Sequence, residues 1–481
     1  MNQRLFFAIP LLVVGCAVGP DYERPTDDDL GMQATFASTR PTTRPVFVVD
    51  ETTRWWTTFD DALLERLVEE ALADNLDLTA AEARVREARL LRRSAQSGFF
   101  PTINGAASYT RTRSSENAGI GQAANNIPGI ELEENLYSVG VDAAWELDVF
   151  GQVRRQVEAA EARTEATVEA ARDLSLIVAA EVARNYADLR AAQGRLGVQR
   201  RNIELQAATL DLVNRKRQAG LVPEVDVARA RTQLETTKAA LPPLRAAEQS
   251  AAFRLSVLTG QSPSALLDEL TVDQALPTLP PVPDAGVPAD LIRRRPDLRQ
   301  AERNLAASVA DVGVATAELY PKFRISGLFA LESVDSDNLF EAASRTWSIG
   351  PGVSVPLFNA GRLRALREVE QAQVDAAVAS YNQAVFVAIE EVERGLVRRR
   401  ESHAEAEQLD RALTEAERSV ELSRVLYDRG LRDFQVVLDA QQALVDIEDR
   451  LTAARATALA DAVTLYQALA GGWAATEAGA P

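Results

Sequence analysis

The chain has 481 residues, with 52 Lys and Arg against 70 Asp and Glu, and a net charge of −18. This acidic balance argues against a nucleic-acid partner, because phosphates bind to basic surfaces. One Cys and one His nearly exclude a metal site, an intrachain disulfide and a Cys/His nucleophile. The sequence also has no nucleophile–base set, metal cluster or phosphate loop, so we expect neither enzymatic activity nor a cofactor.

The N-terminus reads MNQRLFFAIPLLVVGC. One basic residue, Arg4, precedes an apolar run that ends at Val14, which predicts a signal peptide over residues 1–15. The run is shorter than the roughly 20 apolar residues of a spanning helix. Val13-Val14-Gly15-Cys16 resembles the lipobox of bacterial lipoproteins, in which cleavage precedes a Cys that is then acylated. We therefore expect a covalent lipid on Cys16, with a plain signal peptide as the alternative.

Composition predicts the domain organisation of the remaining chain. The first part of the remaining chain is rich in Pro, Asp and Thr, which predicts an extended segment that follows the lipid on Cys16. A second Pro-rich stretch divides the helical sequence into halves. The predicted parts are the extended segment 16–58, a first repeat 59–260, a linker 261–289, a second repeat 290–472 and a C-terminal tail 473–481.

The two halves match each other, which predicts tandem repeats. Asp77-Leu78 and Pro101 have counterparts 220 residues later, at Asp297-Leu298 and Pro321. Further on the spacing falls to 210, as three pairs indicate: Gly140 with Gly350, Glu181 with Glu391, and Gly220 with Gly430. The ten missing residues lie between Pro321 and Trp347. The two repeats therefore differ in the length of one loop and have their other elements in common.

Each half predicts the same order of elements. A helix is followed by a strand, a loop and a second strand. A very long helix follows, from about Gly151 to Arg217 and from Gly361 to Asp428, and a helix returns to about Gly260 or Gly471. At 1.5 Å per residue, the long helices would reach roughly 100 Å. Their narrow apolar stripes suit antiparallel coiled-coil packing; these are Leu174, Ile177, Val178, Val182, Tyr186 and Leu189, and Val385, Ile389, Val392 and Leu396.

Period-two alternation predicts strands among these helices. The clearest lies in LYSVGVDAAWELDVFGQ, residues 136–152, where Tyr137, Val139, Val141, Ala143, Trp145, Leu147 and Val149 alternate with small or acidic residues. Residues 323–332 and 347–357 alternate similarly, and 102–113 do so more weakly. Since 9 to 11 residues cross a bilayer as a tilted strand, we interpret these as transmembrane strands. Two soluble hairpins packed face to face are the alternative.

Four strands predict an assembly of several chains. An open sheet edge in lipid leaves backbone groups unpaired, and transmembrane barrels have about eight strands or more. Two chains would supply eight strands and three would supply twelve, and the residues do not choose between them. The expected fold is therefore mainly α with a small β part. Its long helices continue from the strands into the periplasm.

The chain resembles the outer-membrane factor family, the TolC-like exit ducts of bacteria, and within it the NodT-like lipoproteins that serve resistance–nodulation–division pumps. The resemblance runs from Cys16 to Trp473, through GPDYERP, WWTTFDDALLERLVEEAL, LIRRRPDLRQAERNLAAS, YPKFRISG, VPLFNAGR and LYQALAGGW. It implies a homotrimer with a 12-stranded β-barrel in the outer membrane of a Gram-negative bacterium and an α-helical barrel in the periplasm. It also implies a periplasmic adaptor and an inner-membrane pump as partners, and no enzymatic activity.

The same resemblance implies roles for the two helix–turn–helix tips. Tyr427 and Arg432 match positions whose bonds to the first repeat hold the tip shut, and Asp226 matches an acceptor for such bonds. Asp439 matches an acidic ring that narrows the entrance. Val436 stands where the family often has a second acidic residue, so the ring would have one carboxylate per chain. Five positions match adaptor contacts: Gly220, Leu221, Val222, Gly430 and Leu431.

Without the resemblance, the tip residues indicate less. Gly220 and Gly430 suit helix ends that require a positive φ. Asp226 and Asp439 have the character of solvated helix charges.

The expected function is a passive, gated exit duct of a tripartite multidrug efflux system, for small toxic compounds. One alternative is the exit duct of a type I protein-secretion system, which the same fold serves. Another is a periplasmic structural or adaptor lipoprotein that forms no channel. The lipobox and the GPDYERP stretch favour efflux.

Overall fold

The computed structural model describes residues 17–26, 36–38, 54–117, 122, 131–282, 288 and 294–470. The expected signal peptide, Cys16 and the tail 473–481 lie outside these residues. The described residues of Met1–Arg24, Arg86–Glu165 and Glu302–Ala379 form one compact unit. Those of Pro25–Val85, Ala166–Ala301 and Ser380–Pro481 form a second.

The described part of the chain is mainly helical. Its helices are α1 Ala62–Asp74, α2 Leu76–Gln96, α3 Gln152–Gln218, α4 Glu224–Ala239, α5 Leu241–Leu258, α6 Leu267–Leu270, α7 Pro296–Ala317, α8 Arg362–Asp428 and α9 Phe434–Ala468. Side chains outside the helices fix several starts: the Asp61 carboxylate accepts from the N–H groups of Leu63 and Leu64, both at 3.0 Å, at the start of α1. Among the described helices, none combines the length and the apolar character of a membrane span.

The described strands form one antiparallel sheet in the order β1-β2-β3-β4. Their bounds are β1 Thr102–Arg113, β2 Glu133–Leu147, β3 Lys322–Ser333 and β4 Arg345–Ser354. The sequence predicted all four strands. It placed the end of β4 too late, because β3 begins at Lys322, opposite Ser354, and offers no ladder partner beyond that point.

Corresponding elements of the two halves have matching bounds. Each bound of β3 is 220 higher than that of β1, and each bound of α8 is 210 higher than that of α3. Both long helices contain 67 residues. The change of offset lies between these elements, where the connection 114–132 is longer than 334–344. The lengths of the elements therefore agree with the spacing that the sequence motifs predicted.

The returning helix of the first half differs from the expected single helix. Helices α4 and α5 meet at Ala240, just before Pro242 and Pro243. Proline has no N–H to continue the helical bonding, and its ring crowds the preceding turn. The second half has no proline at this place, and α9 runs unbroken from Phe434 to Ala468.

Aromatic residues from the WWTTF motif form much of the core of the second unit. They lie in a 3-10 turn, Trp55–Phe59, and the Trp55 ring stacks on Tyr466 with centroids 5.6 Å apart. The predicted stripe of α3 packs against this core through Val178, Val182, Tyr186 and Leu189. Ile177, which we placed in the same stripe, is 37% exposed. The stripe is therefore narrower than the sequence pattern suggested.

The Pro-rich linker also contributes to this core. Leu266 and Leu270 are buried among its apolar side chains. Two buried side chains of α3 donate to linker carbonyls: Gln193 Nε2 to Leu270 at 2.7 Å and Arg190 Nη1 to Val272 at 3.1 Å. The described part of the linker is therefore a packed segment.

In the first unit, the extended residues 17–24 lie against α3 and α7. A side-chain Cβ at Gly19 would lie 2.5 Å from the Gly313 Cα, so this close approach requires glycine. The nearly buried Arg155 donates to Asp21 Oδ1 at 2.6 Å and to the Val18 carbonyl at 3.3 Å. These contacts fix the chain immediately after the predicted lipidation residue.

Candidate functional site

The register of the sheet brings the apolar residues of its strands onto one face. Val141 lies directly opposite Gly105 on β1 and Phe329 on β3, and Phe329 lies opposite Trp347 on β4. Directly opposite residues share a face, so the separate stripes merge into one apolar surface. This surface is open in the chain: Trp347 and Ile349 are each 71% exposed.

The opposite face of the sheet is polar. The amide of Asn104 donates to Asp142 Oδ2 at 3.2 Å, and Arg324 pairs with Glu146 at 3.4 Å. Ser138 lies opposite Ser108 on this face. The sheet therefore has an exposed apolar side and a polar side, which is the alternation of strands that separate lipid from water.

Both outer strands of the sheet have an open edge. Among the described residues, β1 pairs only with β2, and β4 only with β3. The unpaired N–H and C=O groups along these edges are templates for further strands.

The two tips end in the same backbone motif. The N–H of Gly220 donates to the Arg217 carbonyl and that of Leu221 to the Lys216 carbonyl, both at 2.9 Å. The second tip repeats the pattern 210 residues later: Gly430 donates to Tyr427 at 3.0 Å and Leu431 to Leu426 at 2.9 Å. This is a Schellman motif, whose glycine adopts a positive φ. The φ angles are +74° and +70°, as we predicted for these glycines.

The tips combine exposed and buried apolar groups. Leu221 is 72% exposed and Leu431 is 65% exposed. Val222, by contrast, packs partly against a buried cluster drawn from both tips. That cluster consists of Val213, Val227, Ala230, Tyr427, Phe434 and Val437.

The structure brings only some of the predicted gate residues together. Burial raises the pKa of Tyr427, and the nearby carboxylates of Asp226 and Asp428 raise it further. The Tyr427 hydroxyl is nevertheless buried without a hydrogen-bond partner among the described residues. Arg432 is exposed and forms no hydrogen bond or ion pair within the described residues. The expected bonds from Tyr427 and Arg432 to the first half are therefore absent from the described part of one chain.

The acidic positions at the tips lie in different surroundings. Asp226 is mostly buried and lies 4.0 Å from Arg229. Asp439 is exposed and accepts from Gln435 Nε2 at 2.7 Å, one helical turn away. Val436, the position without an acid, is partly buried.

A polar contact that joins the tips uses a residue that sequence reasoning missed. Lys216 Nζ, from α3, lies 3.8 Å from the ring centroid of Tyr427 and 3.3 Å from Asp428 Oδ1 on α8. Its signal in the sequence was slight, because Lys216 is the middle of three cations, Arg215-Lys216-Arg217. Spacing alone does not show which of them faces the other helix.

A second missed feature is a charged cavity of about 270 Å³ in the second unit. Arg295, from the LIRRRPDL motif, pairs with Asp297 and Glu391, both at 2.7 Å. Asp173 also lines the cavity. Burial raises the pKa of Asp173 to about 6, Asp297 and Glu391 add repulsion, and Arg295 opposes the rise. Within the described residues, no acidic, Cys or His cluster could hold a metal ion.

An exposed apolar sheet face beside long paired helices defines the fold of outer-membrane channels. The outer-membrane channel OprN has this fold: its solved structure matches with a TM-score of 0.86 and 35% identity, over 95% of this chain and 100% of that chain. The sequence model of the outer membrane efflux protein family matches residues 67–261 and 287–471. The chain belongs to this family, whose members are efflux channels of the outer membrane.

Two relatives cover nearly the whole chain. The solvent efflux pump outer membrane protein SrpC of Pseudomonas putida is 31% identical over 97% of each chain. Nodulation protein T of Rhizobium leguminosarum bv. viciae is 30% identical over 98% of this chain and 94% of its own.

Proposed function

We propose that the chain is the exit duct of a tripartite efflux system. An inner-membrane pump supplies the energy, a periplasmic adaptor joins pump and duct, and the duct conducts small compounds passively to the exterior. The observation that carries this proposal is the sheet with one exposed apolar face and two open edges. Lipid suits such a face only when the edges are paired, which requires further copies of the strands.

The proposed assembly is a homotrimer. Three copies of four strands would complete a 12-stranded barrel, and three copies of the long helices would continue it as a periplasmic α-barrel. The two family-model matches and the equal lengths of α3 and α8 support two tandem repeats in each chain. Each repeat would then supply the same elements to the barrel.

We assign the closable end of the duct to the two tips. Exposed Leu221 and Leu431 support adaptor contact at Gly220, Leu221, Val222, Gly430 and Leu431. Asp226, Tyr427, Arg432 and Asp439 are the proposed gate residues. Since bonds from Tyr427 and Arg432 to the first half are absent within the described chain, any role of Arg432 would involve a neighbouring copy. Asp439 would supply one carboxylate per chain at the entrance.

The lipid on Cys16 remains part of the proposal. Residues 17–24 lie against the helices that adjoin the strands, and this position supports an anchor at the membrane surface. The relatives support the class of permeant. SrpC is named for solvent efflux, so we expect small organic compounds here rather than a secreted protein.

The detergent-corrected mass of protein extracted from outer membranes tests the assembly. We expect about three times the mass of the mature chain. A monodisperse monomer would contradict the shared barrel. Deletion of the gene tests the permeant: sensitivity to solvents, dyes and detergents supports efflux, whereas loss of one secreted protein supports secretion.

A further inference from the structure

The two tips have the same backbone but different side chains. Three consecutive positions at the end of α3 correspond to three at the end of α8, 210 residues later. The pairs are Lys216 with Leu426, Arg217 with Tyr427 and Gln218 with Asp428. The first tip thus has two cations and a glutamine where the second has a leucine, an aromatic residue and an acidic residue. This difference allows the tips of a single chain to attract each other.

Of the three cations in the first tip, Lys216 is the one that reaches the second tip. Arg215 pairs with Asp211 at 3.0 Å, within α3, and Arg217 pairs with Glu224 at 3.2 Å, within the first hairpin. Lys216 lies over the Tyr427 ring and beside Asp428, and its side chain is only 21% exposed. A partly desolvated ammonium over an aromatic face is held more strongly than an exposed one.

The ring of Tyr427, rather than its hydroxyl, makes the connection. Phe434 contacts the same ring, with centroids 5.4 Å apart. The hydroxyl is buried and has no partner among the described residues. A phenylalanine at this position would keep both ring contacts and lose no hydrogen bond within the described chain.

We propose that Lys216 is the positioning residue that holds the two tips of each chain together, through the Tyr427 ring and the Asp428 carboxylate. The proposal rests on the gate assigned to the tips in the proposed function. Separation of the two hairpins requires the ammonium to leave both partners and regain its water. In the proposed gate, where contact between the tips closes the duct, Lys216 therefore biases each chain toward closure.

Single-channel recording of the full-length protein in planar bilayers tests this role. We expect Lys216→Met to raise the open probability by about three- to ten-fold, the effect of losing one partly desolvated cation–aromatic contact. Lys216→Arg should restore most of the closure, because guanidinium also stacks on aromatic rings. In a Tyr427→Phe background, Lys216→Met should raise the open probability by the same factor as in the wild type, because both ring contacts remain. Arg217→Met is the matched control, because its ion pair lies within one hairpin.

Three outcomes would overturn the proposal. If the wild type conducts and Lys216→Met gates in the same way, Lys216 does not hold the tips together, and the proposed duct is unaffected. If Lys216→Met has no further effect in the Tyr427→Phe background, closure depends on the hydroxyl instead of the ring contact. If neither the wild type nor any variant conducts, the proposed duct is contradicted, and the role of Lys216 in its gate is contradicted with it. Retained mass and helical content of each variant will exclude misfolding as the cause of a change.

Discussion

Val141 and Phe329 lie directly opposite each other on β2 and β3, and each side chain is about half exposed. Their neighbours Asp142 and Leu328 are also opposite each other, on the other face of the sheet, where Asp142 accepts from Asn104. Adjacent residues of one strand therefore meet different surroundings.

This alternation predicts opposite tolerances for charge at adjacent residues. Val141→Lys should reduce the amount of assembled protein in the outer membrane, because a Lys on the lipid face near the midplane costs about 2–4 kcal/mol. Asp142→Lys is the control, since its side chain lies on the polar face. The amount of native oligomer in the outer-membrane fraction measures both. Equal loss in the two variants would argue against lipid contact on the Val141 face.

The positive φ of the tip glycines predicts a local cost for any side chain. Gly220→Ala and Gly430→Ala should each destabilise their tip by about 1–2 kcal/mol, because a Cβ disfavours the left-handed conformation even in open space. Amide hydrogen exchange of the tip residues measures this. Gly197→Ala, inside α3, is the control and should stabilise the helix by about 0.5–1 kcal/mol. A uniform response of all three variants would contradict the conformational explanation.

The raised pKa of Asp173 leads us to predict that the stability of the protein depends on pH. Its pKa is about 6 in the folded chain against 3.8 for an ordinary carboxyl. The folded state therefore holds this proton more tightly, and the group's contribution to the free energy of unfolding falls as pH rises from about 4 to about 6. Asp173→Asn should raise the free energy of unfolding at pH 7 by about 1 kcal/mol after allowance for solvent screening, and the melting temperature should rise with it.

The same substitution, Asp173→Asn, should make the melting temperature depend less steeply on pH between about pH 4 and 6. Asp273→Asn is the control, because its carboxylate is largely exposed and, within the described part of the chain, pairs only with exposed Arg200. If Asp173→Asn leaves the slope of the wild type unchanged, the cavity does not hold a carboxyl with a raised pKa.

Asp439 predicts the ion selectivity of the entrance. In the proposed trimer, three copies of Asp439 would lie near the axis and attract cations, so Asp439→Ala should lower the ratio of cation to anion permeability. Asp446→Ala is a matched control: Asp446 also accepts from a Gln one turn earlier at 2.7 Å, but it lies about 10 Å further along α9. Reversal potentials in a salt gradient measure the ratio. An equal effect of both substitutions would assign selectivity to general surface charge.

The sequence was most informative where its period matched a simple geometry. Alternation along β2, β3 and β4 predicted the strands. Their shared apolar face became visible only in the register, because antiparallel pairing preserves alternation from strand to strand. The pair Pro242-Pro243 indicates a break between α4 and α5. Our prediction of one continuous helix did not take these prolines into account.

Other features depended on tertiary packing and left no local pattern. Lys216 is one of three adjacent cations, and only the packing of α3 against α8 selects it. Asp173 has the character of a surface charge on a helix. Its pKa rises because tertiary packing buries it and brings Asp297 and Glu391 from distant parts of the chain close to it, whereas Arg295 opposes the rise. Residues carried over by resemblance, such as Arg432, were placed at the tip, but their contacts were not predictable.

The packed linker limits how this polypeptide can be divided. The family model leaves residues 262–286 unmatched, which makes that stretch look like a convenient place to cut the chain or to insert a tag. Leu266 and Leu270 from this stretch are nevertheless buried in the core. A nick or insertion beside them would remove apolar contacts that the two halves do not replace. Co-expressed half-chains that end here should therefore complement each other poorly.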